Sequence, residues 1–405
     1  MEKTSKPESF GMSTDRLENI TDWMNRYVDE GKLAGAQTVI ARGGKVAYSH
    51  QVGQADIENN VPWNENTMAR FYSMTKPVTS VALMMLYEKG LFHLDDPVED
   101  YIPSFADMRV LRSGARDIED TEPAKTKMTV HHLLTHMSGL TYGFIGGALG
   151  EAYTAGKMDF GPTRGTLEEH CDKLAEMPLQ FNPGSRWNYG VSTDVVGRLV
   201  EVISGQDLRS HFDEHIFDPL GMADTAFDVP EEKIDRLASL YGIDKDGKLK
   251  LLEAGQKSVY RAGRTTCYSG GGGLISTAGD YYRFAEMVRR DGIFGGERLL
   301  GSRTMKFMKS NHLQGDLADN GQPSFSEVSF EGVGFGLGGW VMVDPPKSQM
   351  MGSVGDFGWG GMASTVFWTD PVEDLTILFL TQLAPSSQFP LRKELRALVH
   401  QALID

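Results

Sequence analysis

Near the N-terminus the apolar positions recur with helical spacing, and just after it they alternate. Leu17, Ile20, Trp23, Met24, Tyr27 and Val28 share one face, which predicts an amphipathic helix over Ser13–Glu30, with Ser13 as N-cap and Gly31 as the stop. Thr38-Val39-Ile40 and Val46-Ala47-Tyr48, joined through Gly43-Gly44, predict a β-hairpin over Gln37–Gln51. The next strong run has a different character. Val78, Val81, Ala82, Met85 and Leu86 form one stripe, while Leu83, Met84 and Tyr87 carry apolar surface around the other side. A helix apolar nearly all round is a buried one, and Gly90 ends it.

From His93 to about Gly263 strand-like runs become scarce. Short helices are predicted over Val130–His136, Thr166–Glu176, Ser192–Ser204 and Leu208–Phe217, separated by Gly/Pro-rich loops. A helix over Asp280–Arg289 follows. The tail reads as strands over Gly334–Val343, Ser364–Trp368 and Leu375–Leu383, closed by an amphipathic helix over Leu391–Leu403. The first hairpin and the last strands are expected to share one antiparallel sheet flanked by the terminal helices. That divides the chain into an α/β domain of residues 1–72 and 264–405 and a mainly helical domain of residues 73–263. The run Ser269-Gly270-Gly271-Gly272-Gly273 has no Lys-Ser or Lys-Thr after it, so it reads as a tight backbone crossing at the domain junction rather than a phosphate cradle.

Composition narrows the function classes. The 405 residues carry a net charge of −15, which argues against nucleic acid and anionic membrane surfaces as partners. The two cysteines, Cys171 and Cys267, lie far apart and read as reduced thiols. Met1–Phe10 has lysines without an apolar segment behind them, and nowhere is there an apolar run long enough to span a membrane. The expected location is the cytoplasm, and the expected oligomeric state is open.

The buried helix begins at Phe71-Tyr72-Ser73-Met74-Thr75-Lys76-Pro77. Ser73 and Lys76, one helical turn apart, face the same way. A desolvated amine beside a hydroxyl is a means of activating a serine. Pro77 disfavours a helical Lys76, so the first turn is expected to be distorted or to start at Ser73. Two further stretches would complete such a site. Tyr189, in Trp187-Asn188-Tyr189-Gly190-Val191-Ser192, can relay protons at the start of a helix. Gly358-Trp359-Gly360-Gly361-Met362, on a strand, lets a backbone N–H approach a substrate carbonyl as half of an oxyanion hole. Two rival hydrolase classes fare worse. No intact Gly-x-Ser-x-Gly exists, Gly190-Val191-Ser192-Thr193-Asp194 failing at its last position. The pairs His132/His136 and His211/His215 have helical metal-ligand spacing but no His-Glu-x-x-His, and they read as packing residues.

With these residues in order, the chain resembles the family VIII carboxylesterases, the esterase branch of the serine β-lactamase and penicillin-binding protein superfamily. The resemblance rests on Ser73-Met74-Thr75-Lys76, Tyr189-Gly190-Val191 and Trp359-Gly360-Gly361, with support from Leu133–Leu140, Phe181–Gly184 and Gly271–Leu274. It implies an α+β, β-lactamase/transpeptidase-like fold with the site between its two domains, and no metal or organic cofactor. It further implies Ser73 as nucleophile, Lys76 and Tyr189 as proton acceptors and donors, and the backbone N–H groups of Ser73 and Met362 as the oxyanion hole. Trp359, Gly360, Gly361, Val191 and Tyr142 are the expected substrate-binding residues, Tyr142 lining the pocket without taking part in the chemistry. Two departures from class C β-lactamases decide the branch. Val191 stands where they carry asparagine, and Trp359 where they carry the lysine of Lys-Thr-Gly. An indole there favours an apolar, uncharged ester of short to medium acyl chain. β-Lactam hydrolysis, transfer to an alcohol, and a catalytically silent binding role are the alternatives.

Overall fold

Eight described strands pair in one antiparallel sheet in the computed structural model, which describes residues 6–325 and 328–405. They are β1 (Gly35–Arg42), β2 (Lys45–Asp56), β3 (Val61–Pro62), β4 (Val333–Phe335), β5 (Trp340–Met342), β6 (Phe357–Gly360), β7 (Val366–Asp370) and β8 (Leu375–Thr381). Their order across the sheet is β4-β5-β6-β7-β8-β1-β2-β3, so the first hairpin joins the C-terminal meander through Ala36 opposite Thr381 and Arg42 opposite Leu375. This is the antiparallel sheet expected from the two ends of the chain.

The helices that position the site are α1 (Thr14–Asp29), α2 (Thr75–Glu88), α3 (Ser192–Ser204), α4 (Ala278–Arg289) and α5 (Leu391–His400). β8 is buried along its whole length because helices cover both faces of the sheet. Side chains alternate between those faces. Ile40, Ile377 and Phe379 pack with Trp23 of α1 and Leu395 of α5, whereas Val39, Leu378 and Phe367 pack with Tyr281 of α4 and the core around α2. α1 is capped by Ser13, whose hydroxyl accepts from the Arg16 N–H, and it is tied to α5 by Trp23 Nε1 donating to Glu394 at 2.6 Å. No described helix is long and apolar enough to cross a membrane.

Three local expectations are corrected. Gly334–Val343 is not one strand but the hairpin β4–β5, with Phe335 opposite Trp340 and Gly338 at φ +99° in the turn. Only the positive φ betrays the turn inside an alternating run. The Val130 helix stops at Leu134, and His136 has φ +56°, so His132 and His136 do not share a helix face. The Leu208 helix ends at Phe212 and continues as a π-turn over Asp213–Phe217. Residues 73–263 are rich in helix but also carry the hairpin Leu240–Ile243/Leu249–Glu253, which bonds to the end of the main sheet through Tyr241 N–H and Gln382 C=O at 2.9 Å.

Candidate active site

Ser73 sits in a 3-10 turn, Tyr72–Met74, that runs into α2. Tyr72 has φ +44°, a left-handed conformation that an aromatic residue adopts only when its surroundings force it. Here they do. Phe71 stacks on Tyr281 at 4.8 Å between ring centroids, Tyr281 donates its hydroxyl proton to the Met74 carbonyl at 2.7 Å, and the Phe71 N–H bonds to the Leu274 carbonyl. The α-helix proper begins at Thr75, so Pro77 lies in its first turn. Backbone N–H groups there have no intrahelical acceptor, and the proline removes nothing the helix needs.

Lys76 is fully buried, and three oxygens surround its Nζ. They are the Gly271 carbonyl at 2.7 Å, the Tyr142 hydroxyl at 3.0 Å and Ser73 Oγ at 3.2 Å. Tyr189 donates its hydroxyl proton to Ser73 Oγ at 2.6 Å, and its ring centroid lies 4.7 Å from Lys76 Nζ. The Tyr189 loop is pinned from two sides. The Asn188 amide donates to the Leu140 carbonyl at 2.9 Å, and the buried ring of His136 packs 5.1 Å from that of Tyr189. Burial, helped by the Lys76 charge, keeps His136 well below the usual histidine range and therefore neutral. Burial likewise raises Tyr142 well above the usual phenol range, with Tyr189 and the carboxylates of Asp194 and Asp159 acting in the same direction. Tyr142 was expected only to line the pocket; its hydroxyl in fact touches the lysine.

The glycine run is the tight crossing that the sequence indicated. A Cβ on Gly270 would lie 2.8 Å from the Thr193 carbonyl, and one on Gly271 would lie 2.3 Å from the Asp194 carboxylate. This closeness lets Gly271 face the site with its carbonyl to Lys76 and its N–H to Asp194 Oδ1, 3.0 Å away. Asp194 also accepts from Ser269 Oγ at 2.5 Å. Burial pushes its carboxyl above the usual range, against the opposing pull of Lys76 and these hydrogen bonds. Sequence reasoning missed Asp194. An acid in the first turn of α3 reads as a solvated partner of the helix dipole, and only the glycines packed against it indicate burial.

β6 brings the third motif to the serine. A Cβ on Gly361 would stand 2.4 Å from both the Phe71 carbonyl and Thr365 Oγ1, so the glycine allows this turn to abut the Ser73 turn. Met362 follows in the turn rather than on the strand, and no acceptor among the described residues faces its N–H or that of Ser73. Ser73, Tyr142, Tyr189, Trp359, Gly360, Gly361 and Met362 all line one cavity of about 780 Å³. Phe330, Met342, Met350 and Trp340 make its walls largely apolar. Val191 is the exception among the expected substrate-binding residues. The loop turns into α3 at that point, so its side chain is fully buried in the core and does not line the cavity.

Residues 20–401 match the Beta-lactamase family, and the chain belongs to it. Esterase EstB of Burkholderia gladioli is 32% identical over 398 residues, 93% of each chain. Monacolin J acid methylbutanoyltransferase of Aspergillus terreus is 29% identical over 384 residues, 89% of each. The solved structure of EstCE1, described as a hydrolase with promiscuous acyltransferase activity, superimposes with a TM-score of 0.78 at 26% identity, covering 95% of this chain and 98% of that one. The fold is β-lactamase/transpeptidase-like, and the chain stands with the esterase and acyltransferase relatives of the family, in accord with the motif resemblance.

Proposed function

We propose that this member of the Beta-lactamase family hydrolyses small carboxylic esters of short to medium acyl chain through an acyl-enzyme on Ser73. The observation that carries the reading is the placement of Ser73 Oγ between the Tyr189 hydroxyl at 2.6 Å and Lys76 Nζ at 3.2 Å, at the wall of an apolar cavity. Ser73 Oγ attacks the ester carbonyl carbon as its proton passes to the Lys76–Tyr189 pair. The carbonyl oxygen becomes an oxyanion held by the N–H groups of Ser73 and Met362. Collapse breaks the bond to the alcohol oxygen, which Tyr189 protonates. Water, deprotonated by the same pair, then attacks the acyl-serine and releases the acid, and Ser73 recovers its proton. Apart from the ester and this water, every group in these steps is a residue of this chain.

Acyl transfer is a second reading of the same intermediate, supported by the acyltransferases among the relatives. An alcohol held in the cavity takes the place of water, and nothing else in the sequence of bonds changes. Ser73→Ala separates both from a binding role. The variant is expected to keep its fold by circular dichroism and lose hydrolysis of 4-nitrophenyl butyrate by at least about a thousandfold. Undiminished turnover would remove Ser73 from the chemistry. An acyl-chain-length series, run with and without an alcohol acceptor and beside a chromogenic cephalosporin, ranks ester hydrolysis, transfer and β-lactam hydrolysis directly.

A further inference from the structure

From the wall of the cavity that Ser73 lines, the helix α5 aims a guanidinium at the turn that carries Met362. Arg392 Nη2 lies 3.2 Å from the Gly361 carbonyl and 3.4 Å from the Thr365 carbonyl, so one amino group bridges the two ends of the turn. The Gly361 N–H bonds across the same turn to Thr365 O at 2.9 Å. Gly360 makes the approach possible, because a Cβ there would stand 2.7 Å from Arg392 Nη2. The helix itself is firmly seated: Leu391, Leu395 and Val399 are buried, and Glu394 takes the Trp23 indole proton.

The Gly361 carbonyl and the Met362 N–H belong to one peptide. In a trans peptide the two point in opposite directions, and partial double-bond character couples their polarity. A cation on the oxygen therefore does two things to the nitrogen. It fixes the peptide plane, and with it the direction of the N–H opposite the carbonyl, and it draws electron density toward the oxygen, which makes the N–H a stronger donor. We propose that Arg392 is a positioning residue for the oxyanion hole, acting through the Gly361–Met362 peptide without bonding to the reacting carbonyl. This rests on the acyl-enzyme reading above and adds to it a source for the strength of one donor.

The expected consequence appears in kcat and not in KM, since an oxyanion contact strengthens only as charge develops. With uncharged 4-nitrophenyl butyrate, Arg392→Met should lower kcat by roughly ten- to a hundredfold, short of the 10²–10³ for losing an oxyanion donor outright. KM should stay within about a factor of two. Arg392→Lys, which keeps the charge but not the planar fork, should recover part of the loss. A merely structural role would not move the second readout. In rapid-mixing infrared spectra with a carbonyl-¹³C ester, the acyl-Ser73 stretch should shift to higher frequency in Arg392→Met, as the carbonyl is polarised less.

A lower kcat with an unshifted carbonyl stretch overturns the proposal in favour of simple structural support. A raised KM with unchanged kcat overturns it in favour of direct substrate contact, because Arg392 also lines the cavity. If the unmodified protein forms no covalent adduct at Ser73 by mass spectrometry, the esterase reading fails and this one with it. An adduct that forms normally while the carbonyl stretch ignores Arg392 leaves the esterase reading standing and removes only this one.

Discussion

Gly361→Ala tests how closely the turn proposed to carry the oxyanion donor must approach Ser73. The added methyl would meet the Phe71 carbonyl and Thr365 Oγ1, each at 2.4 Å. Ordinary contact is about 3.5 Å, so the turn must withdraw by roughly an ångström. Phe71 is backbone, two residues before Ser73, and its N–H is bonded to Leu274, so it has little room to yield. The withdrawal falls on the Met362 N–H instead. Losing one oxyanion donor costs about 2.7–4 kcal/mol in the transition state, a 10²–10³-fold loss of kcat. Overpacking should cost stability about 1–3 kcal/mol, which a well-packed domain of this size survives. The assay is kcat with 4-nitrophenyl butyrate beside thermal unfolding. Adding Thr365→Ala removes one of the two clashes, so the double variant should regain part of the stability while the Phe71 clash keeps activity low. A folded Gly361→Ala within threefold of the original kcat would refute the claim that this approach sets the oxyanion hole.

Two further outcomes follow from other parts of the site. Trp359, buried against Tyr189 and Phe335, walls the cavity beside the serine; Trp359→Ala should raise kcat/KM for a bulky acyl ester over an acetyl ester by roughly tenfold, and an unchanged chain-length profile would rule out that role. Asp356 is held up to about 7 from 3.8 by burial, against the pull of Arg396 2.8 Å away. A carboxyl raised in the folded state binds its proton more tightly there than in the unfolded chain. Its contribution therefore favours the folded state less as pH rises from about 4 to about 7. Urea unfolding should show this downward slope, and its persistence in Asp356→Asn would assign it elsewhere.

The sheet was legible because both ends of the chain alternate strongly and the buried strands are β-branched and aromatic. The α2 helix and its Ser73–Lys76 pair were legible for the same reason: an all-round apolar helix has one place to go. What escaped were features that depend on backbone sign or on distant packing. The β4–β5 turn was hidden because Gly334, Gly336, Gly338 and Gly339 fit an alternating strand as readily as a turn. Val191 was placed in the pocket because it stands where class C β-lactamases carry asparagine, but here the chain turns into α3 at that residue and buries it. Tyr142 reaches Lys76 across 66 positions of the chain and Asp194 reaches Gly271, the lysine's partner, across 77, and no local pattern encodes such a meeting.

Tyr72, held left-handed one residue before Ser73, sets protein robustness against reactivity. Such a conformation costs about 1–3 kcal/mol, which the rest of the fold must supply. Replacing Tyr72 by glycine would relax it, yet the same relaxation frees the Ser73 turn to wander from Lys76 and Tyr189. Selection for heat resistance alone would thus find an easy gain at the position where the serine is aimed. Variants hardened by such a change should be sought among the inactive.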